Sequence, residues 1–346
     1  MNKEKKELLT TTYSMWSLFR NCRKACQYRY LDNLVPLQKA QALFFGSVIH
    51  ECLEIWHKTY DFELVVQHIN EIYSHQTYDS SQKKDLYLAL AMMQGYIKKY
   101  RSDQENFQVI GLEQKFEGNI KNPGTGSFSK SFKLSGKVDG IIKNKNGDHY
   151  LLEHKTASVI DGNYLEKLWT DFQITLYCWY VREVLEVPVL GVIYNILGKV
   201  KLKQSEGETD SEYEARCQFL IAKSKTGKTT AKRKMPETDE AYQDRLSVKY
   251  DNPEIFQRET ILISQDRYLQ LQEELWKLTK AFLEARRTNN FYRNTAYCFQ
   301  WHRPCAYYPI CSAGNNCQNV IDNNYEIVKP HEELKDDKNI TTDLQF

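Results

Sequence analysis

The residues with most chemical promise lie mid-chain. Asp139 closes Gly136-Lys137-Val138-Asp139, and Glu153 and Lys155 sit in Leu151-Leu152-Glu153-His154-Lys155-Thr156. Two carboxylates can hold a hard divalent cation, which prefers oxygen ligands and keeps several waters. Such a cation acidifies a bound water and clamps phosphate oxygens, and hydrolysis of a phosphodiester needs both. The backbone carbonyl of His154 offers a third oxygen. Lys155 offers a compact positive charge near the attacking water or the phosphate. His50 can add a neutral imidazole, which Mn²⁺ tolerates well, and Glu54 lies one helical turn on to orient it. Gln173 and Tyr177 stand four apart, on one face of a helix. Taken singly, each of these has a plain alternative: a solvated hairpin, a half-buried histidine, ordinary helix packing.

Register decides whether the charged groups meet. Side chains two apart on a strand share a face, so Glu153 and Lys155 point the same way. Asp139 joins them only if it stands opposite Glu153. That register pairs Asn144 with Asp148 and leaves Lys145-Asn146-Gly147 as a three-residue loop, with Gly147 in its left-handed position. A two-residue Asn146-Gly147 turn puts Asp139 on the wrong face. Around the hairpin, periodicity predicts helices over 12–30, 44–60, 82–101, 171–187 and 265–287, and strands over 107–119, 133–143, 149–155 and 189–196. The helix over 44–60 carries His50, Leu53, Glu54 and His57 along one side.

The chain has 346 residues and a net charge of only +2. The length suits one large domain or two smaller ones. So small a charge excludes a global positive field, and any DNA contact must come from a local patch. No N-terminal apolar core and no long apolar run is present, which predicts neither signal peptide nor membrane span. The nine cysteines then read as thiols or metal ligands in a reducing cytoplasm.

The reading is a single domain over 1–320 with a polar insertion at about 199–253, and a polar tail over 321–346. In the insertion, Glu208-Thr209-Asp210 with Tyr213 and Arg216 recurs as Glu237-Thr238-Asp239 with Tyr242 and Arg245. Chance accounts for this in so polar a stretch, which is expected to be partly helical and partly mobile. Residues 224–230 imitate a phosphate-binding loop, but Ala222 stands where a glycine is required, which excludes ATP binding there.

Together the motifs resemble the PD-(D/E)XK nuclease superfamily, specifically its RecB-like branch. The pieces are G-x-x-x-H at Gly46–His50, G-x-V-D at Gly136–Asp139, E-x-K at Glu153–Lys155 and Q-x-x-x-Y at Gln173–Tyr177. None is specific alone; four in order are. The resemblance implies an α/β fold, with a mixed central sheet flanked by helices around a restriction-endonuclease-like core. It also implies metal-dependent DNA cleavage, with Mg²⁺ or Mn²⁺ held by His50, Asp139 and Glu153, Lys155 assisting, and Gln173 and Tyr177 lining the site. Small stand-alone members of this type are common in phages, which would make the compartment a host cytoplasm.

The segment from Ser17 to Cys22, followed by Gln27-Tyr28-Arg29-Tyr30, is similar to the iron–sulfur members, among them AddB nuclease domains and CRISPR-associated relatives. In these, one N-terminal cysteine joins three near the C-terminus around a 4Fe–4S cluster, which here implies Cys22, Cys298, Cys305 and Cys311. The departures are Arg23 where a proline often stands and a wider first C-terminal gap. Zinc on Cys298, Cys305, Cys311 and Cys317 is the alternative, and Cys26 is a further candidate ligand. Arg20, Arg23, Lys24 and Arg29 lie among aromatics, a pattern that suits a phosphate backbone and unpaired bases, or a solvated face.

These features favour an exonuclease acting on DNA ends or single strands in recombination, repair or replication. No helicase motif is present, so any motor comes from a partner. The terminus Thr341–Phe346 faintly resembles the docking tips of single-strand DNA-binding proteins. The alternatives are a structure-specific or nicking endonuclease, a catalytically silent DNA-binding or scaffold subunit, and a zinc-stabilised interaction protein.

Overall fold

The structure is a computed structural model describing residues 8–38, 41–74, 80–300, 303–331 and 334. The expected docking tip at 341–346 lies outside these residues. The chain opens with β1 (Leu9–Thr11), α1 (Tyr13–Asn21), α2 (Arg23–Tyr30) and β2 (Leu34–Pro36). Next come α3 (Gln41–Thr59), α4 (Phe62–Ser74), α5 (Ser80–Lys99) and the short α6 (Asp103–Asn106). Three strands, β3 (Phe107–Lys121), β4 (Phe128–Asn144) and β5 (His149–Ala157), precede α7 (Gly162–Leu168) and α8 (Phe172–Val184). Then follow β6 (Val189–Gly198), α9 (Asp210–Lys223), α10 (Asp239–Tyr250), β7 (Phe256–Leu262) and α11 (Gln265–Thr288). Strands β8 (Phe299–Gln300) and β9 (Arg303–Pro304), helices α12 (Tyr308–Ala313) and α13 (Gln318–Asn324), and β10 (Tyr325–Ile327) close the described chain.

The centre is a six-stranded mixed sheet with β4 as its hub. One edge of β4 pairs antiparallel with β3. The other edge is shared: β1 runs parallel to Phe132–Leu134, and β5 pairs antiparallel with Gly140–Lys143. Strand β6 is parallel to β5, and β7 antiparallel to β6. Neighbouring residues on a strand face opposite ways, so Ile141 and Leu151 join one core while Ile142 and Leu152 lie on the reverse. The first face packs on α1, α8 and α11 through Trp16, Phe132, Leu176 and Phe282. A second core gathers α3, α4, α5 and α10 around Ile49, Leu53, Tyr96 and Leu246. This is the expected mixed sheet flanked by helices.

Three differences from expectation have local causes. The single helix over 12–30 breaks at Cys22, which adopts extended angles (φ −156°, ψ 111°) between α1 and α2. Its N–H still closes α1 on Leu18 O, and the break turns the thiol out of the helix. The polar tail does not begin at 321. Helix α13 and strand β10 occupy its start, and β10 pairs with β2 while Tyr325 stacks on Tyr307 at 5.9 Å.

The third difference is the duplication, which is structural. Arg216 grips Glu208 through Nε and Nη2 at 2.5 and 2.8 Å. Arg245 grips Glu237 likewise at 2.6 and 2.7 Å. Glu208 N donates to Lys234 O, and Glu237 N to Ser205 O, both at 2.9 Å. Tyr213 Oη donates to Ala231 O as Tyr242 Oη does to Leu202 O, both at 2.9 Å. Every pair shares one residue offset and each unit bonds to the other, so the two form a pseudo-twofold. The halves differ in burial: α10 buries Tyr242, Leu246 and Tyr250, α9 buries nothing.

Candidate active site

The hairpin closes with Asn144 N donating to Asp148 O at 2.9 Å, and Gly147 takes φ +91° in a three-residue loop. The ladder then runs through Gly140–Leu152, the register that sets Asp139 opposite Glu153. Beyond that pair the strands part. β4 turns to β1, while Glu153 to Ala157 pair only with β6. At the fork Asp139 Oδ2 accepts from His154 N at 2.8 Å, a side chain replacing the lost ladder bond.

Around this fork the expected residues converge. His50, from α3, brings Nδ1 to 3.3 Å of Asp139 Oδ1. Lys155 Nζ donates to Glu153 Oε1 at 2.6 Å, and Gln173 Nε2 donates to the same oxygen at 3.2 Å. Gln173 is fixed because Asp171 caps α8 on Gln173 N at 2.7 Å. Tyr177 packs edge-on to Phe116 and Tyr13, with centroids 5.4 and 6.3 Å away. An open cavity of about 710 Å³ is lined by His50, Glu54, Glu113, Lys137, Asp139 and Lys155 among others.

The electrostatics divide the two carboxylates. Burial pushes Glu153 up to about 7, with the charge of Asp139 adding to it and Lys155 opposing. Burial acts the same way on Asp139, but His50, His154 and Lys155 overcome it and hold the acid well below its usual range. Lys155 is raised: burial disfavours its charge, but Glu153 and Asp139 outweigh that. His50 is raised because Asp139 outweighs burial. A cation at such a site reverses this local logic.

Sequence reasoning missed two groups. Glu113, at φ +49° on β3, pairs with Lys137 and turns its carboxylate into the cavity. A lone strand glutamate gives no signal for that. Behind β5, on the reverse of Glu153 and Lys155, lies a buried polar network. His154 Nδ1 meets Asn195 Nδ2 at 3.2 Å, and Asn195 Oδ1 accepts from Arg258 Nε at 2.5 Å. Arg258 reaches both oxygens of Asp103 at 2.8 and 2.7 Å. His57 stacks on His154 at 5.5 Å and meets Tyr96 Oη at 3.3 Å. So the α3 side splits: His50 and Glu54 face the cavity, Leu53 and His57 the interior.

The basic residues divide as well. The Arg20 guanidinium lies 4.9 Å over Phe172, next to Gln173. Arg23 lies between Phe19 and Tyr292, 5.0 and 4.6 Å from their rings. Arg20, Arg23, Lys277 and Arg293 border a groove of about 550 Å³. Lys24 sits over Tyr28 and bonds Gln27. Arg29 turns inward over Tyr30, with Nη1 buried and unpartnered.

Cys22, Cys298, Cys305 and Cys311 line one small cavity, with Asn294 N donating to Cys22 Sγ at 3.4 Å. Cys317 packs nearby, against the same small core. Among the described residues no three His, Cys, Asp or Glu side chains converge tightly enough to hold a metal ion, here or at the fork. Among them, too, no helix is long and apolar enough to cross a membrane.

No curated protein matches the chain. A family model described as PD-(D/E)XK nuclease superfamily matches residues 10–312. Nucleases of this superfamily generally use Mg²⁺ or Mn²⁺. With most of its length matched and the fork of β4 and β5 carrying Asp139, Glu153 and Lys155, the chain belongs to the PD-(D/E)XK nuclease superfamily.

Proposed function

We propose that the chain is an exonuclease that degrades DNA from ends or single strands, in recombination, repair or replication. The observation that carries this reading is the approach to the fork. Arg20 on Phe172 joins the site to a groove edged by Arg23, exposed Tyr292, Lys277 and Arg293. Arginines and open aromatic faces suit phosphates and unpaired bases. His50, Asp139 and Glu153 fit a Mg²⁺ or Mn²⁺ ion by donor type, two carboxylates and an imidazole. When bound, the ion supplies an acidified water and charge for the phosphate. Lys155 neutralises Glu153 in the resting site and is free to turn to phosphate once that carboxylate is engaged. Gln173 holds Glu153 in place, and His154 N–H holds Asp139.

A 4Fe–4S cluster on Cys22, Cys298, Cys305 and Cys311 belongs to the same reading. Its support is that these four, and not Cys317, line the cavity. A single tetrahedral zinc with Zn–S of about 2.3 Å needs its sulfurs nearly in contact. An iron–sulfur cluster spreads its thiolates further apart, which suits four cysteines arranged around a void. The cluster would tie α1 to the C-terminal segment.

The test is cleavage of end-labelled linear and closed circular DNA, single- and double-stranded, with Mg²⁺, Mn²⁺ or EDTA. Metal-dependent loss of linear DNA with circles spared is the expected result. Cut circles would make it an endonuclease. No cleavage by protein retaining its iron would make it a silent subunit.

A further inference from the structure

We infer that the pseudo-twofold insertion between β6 and β7 is a track for the phosphate backbone of DNA leading away from the catalytic fork. The inference rests on the nuclease reading and adds a second contact region to it. Its start is fixed by Lys199, which follows β6 directly, lines the same cavity as Asp139 and Lys155, and lies 4.4 Å over the Phe45 ring. Lys201 and Lys203 continue the run at alternate positions, and both are exposed. The second unit then places Lys232 beside the first, because the two extended segments bond to each other. Lys234 follows two residues on, and both of these are exposed.

The polar frame explains why these lysines are presented rather than spent. Glu208 and Glu237 are taken by Arg216 and Arg245, Asp210 by Arg233, and Asp239 by Lys83. Glu206, the remaining acid of the first segment, faces Lys84 at 3.8 Å. Among the described residues, the ammonium groups of Lys201, Lys203, Lys232 and Lys234 form no salt bridge, although Lys234 N donates to Glu208 Oε2 at 2.9 Å and the Lys234 charge is felt by that acid. The same arginines fix the backbone of two of them: Arg245 Nη2 donates to Lys203 O at 2.9 Å and Arg216 Nη2 to Lys232 O at 2.8 Å. Equivalent positions of the two units thus hold lysines on pinned backbone. A pinned scaffold loses less freedom on binding than a loose loop. Repeated cations outside any salt bridge suit a repeating polyanion, read without sequence preference.

The experiment measures binding in EDTA, where a metal-dependent nuclease holds DNA without cutting it. The probes are fluorescent single strands, one long (about 40 nucleotides) and one short (about 6), across a salt titration. Replacing Lys201, Lys203, Lys232 and Lys234 together by Gln should weaken the long strand at least tenfold at low salt. It should also make the slope of log K against log salt shallower by about 3, near 0.7 per lost phosphate contact. The short strand should bind as before, and the thermal midpoint should not move. Single Lys203→Gln and Lys232→Gln variants should each remove about 0.7 from the slope. An unchanged slope, or equal loss on both lengths, overturns the inference. If wild type cuts DNA with metal while the fourfold variant binds normally, the inference alone falls. If wild type neither binds nor cuts DNA, both readings fall together.

Discussion

Asp139 accepts the backbone N–H of His154 at 2.8 Å across the point where β4 and β5 part. One bond therefore does two things: it satisfies a donor the sheet has abandoned, and it aims the other carboxylate oxygen at His50. A buried N–H left unpaired is costly, so the split that opens the site is stable only with an acceptor at this position. The acid proposed to hold the metal also closes the β4–β5 ladder.

Substitutions at Asp139 should separate these roles. Asp139→Asn keeps an acceptor for His154 but removes the charge. Asp139→Ala removes both. Each should lower cleavage by about 10²-fold or more, while only the alanine variant should lose appreciable thermal stability. Lys155→Ala should be as inactive, because Glu153 is left buried without its cation. Near-normal turnover by Asp139→Asn or Lys155→Ala, measured on labelled linear DNA, would remove these residues from the site.

The two motif glycines should behave oppositely. A Cβ on Gly136 would run into the Phe116 ring, which packs on Tyr177. Gly136→Ala should cost about 1–3 kcal/mol by overpacking and disturb Tyr177. A Cβ on Gly46 meets only Thr156 Oγ1, at 3.9 Å. Gly46→Ala should be neutral or stabilise α3 by up to about 1 kcal/mol. Urea midpoints decide, and equal destabilisation would mean the packing account of Gly136 is wrong.

Much of the hairpin was legible because strand parity leaves few alternatives: requiring Asp139 to face Glu153 selected the three-residue loop over an Asn146-Gly147 turn, and Gly147 could fill its left-handed position. The E-x-K spacing needed only the two-residue strand period. The rest depended on contacts between distant segments. Asp103, Asn195 and Arg258 are separate polar residues in the sequence, and only the fold brings them together behind His154. The break at Cys22 has neither Pro nor Gly to mark it. The Glu208 and Glu237 repeats looked accidental because their meaning lies in reciprocal bonds between units, which identity counting does not register.

The cysteines divide into two groups with different expected behaviour. Cys305→Ser should lose bound iron and lower the thermal midpoint by roughly 5–10 °C, because the two chain ends would no longer be tied. Cys52 is fully buried in α3, and burial pushes its thiol up to about 12. Cys52→Ser should therefore leave iron content unchanged. Iron and zinc analysis of anaerobically purified protein checks both. A stable, fully loaded Cys305→Ser protein would take that residue out of the ligand set.

Acid should weaken the fold through His57. Burial, with nearby Arg258 adding to it, lowers this imidazole to about 3, whereas an unfolded histidine titrates near 6.5. Between these values the unfolded chain binds a proton that the folded chain refuses, so stability rises with pH across this window and is lost as pH falls through it. The slope is about 1.4 kcal/mol per pH unit for one such group. Glu153 acts in the opposite sense from about 4.5 to 7, because its folded form holds a proton the unfolded form has released. A comparison with His57→Phe cancels that contribution, since both proteins carry Glu153. The phenyl ring keeps the stacking on His154, and Tyr96 Oη retains Asn195 as a partner at 3.2 Å. Urea unfolding at pH 7.5, 6, 5 and 4 should show wild type losing about 1.4 kcal/mol per unit relative to the variant below pH 6.5. Parallel curves would mean that His57 is protonated in the folded protein, and the buried network behind β5 would then have to hold a charge there.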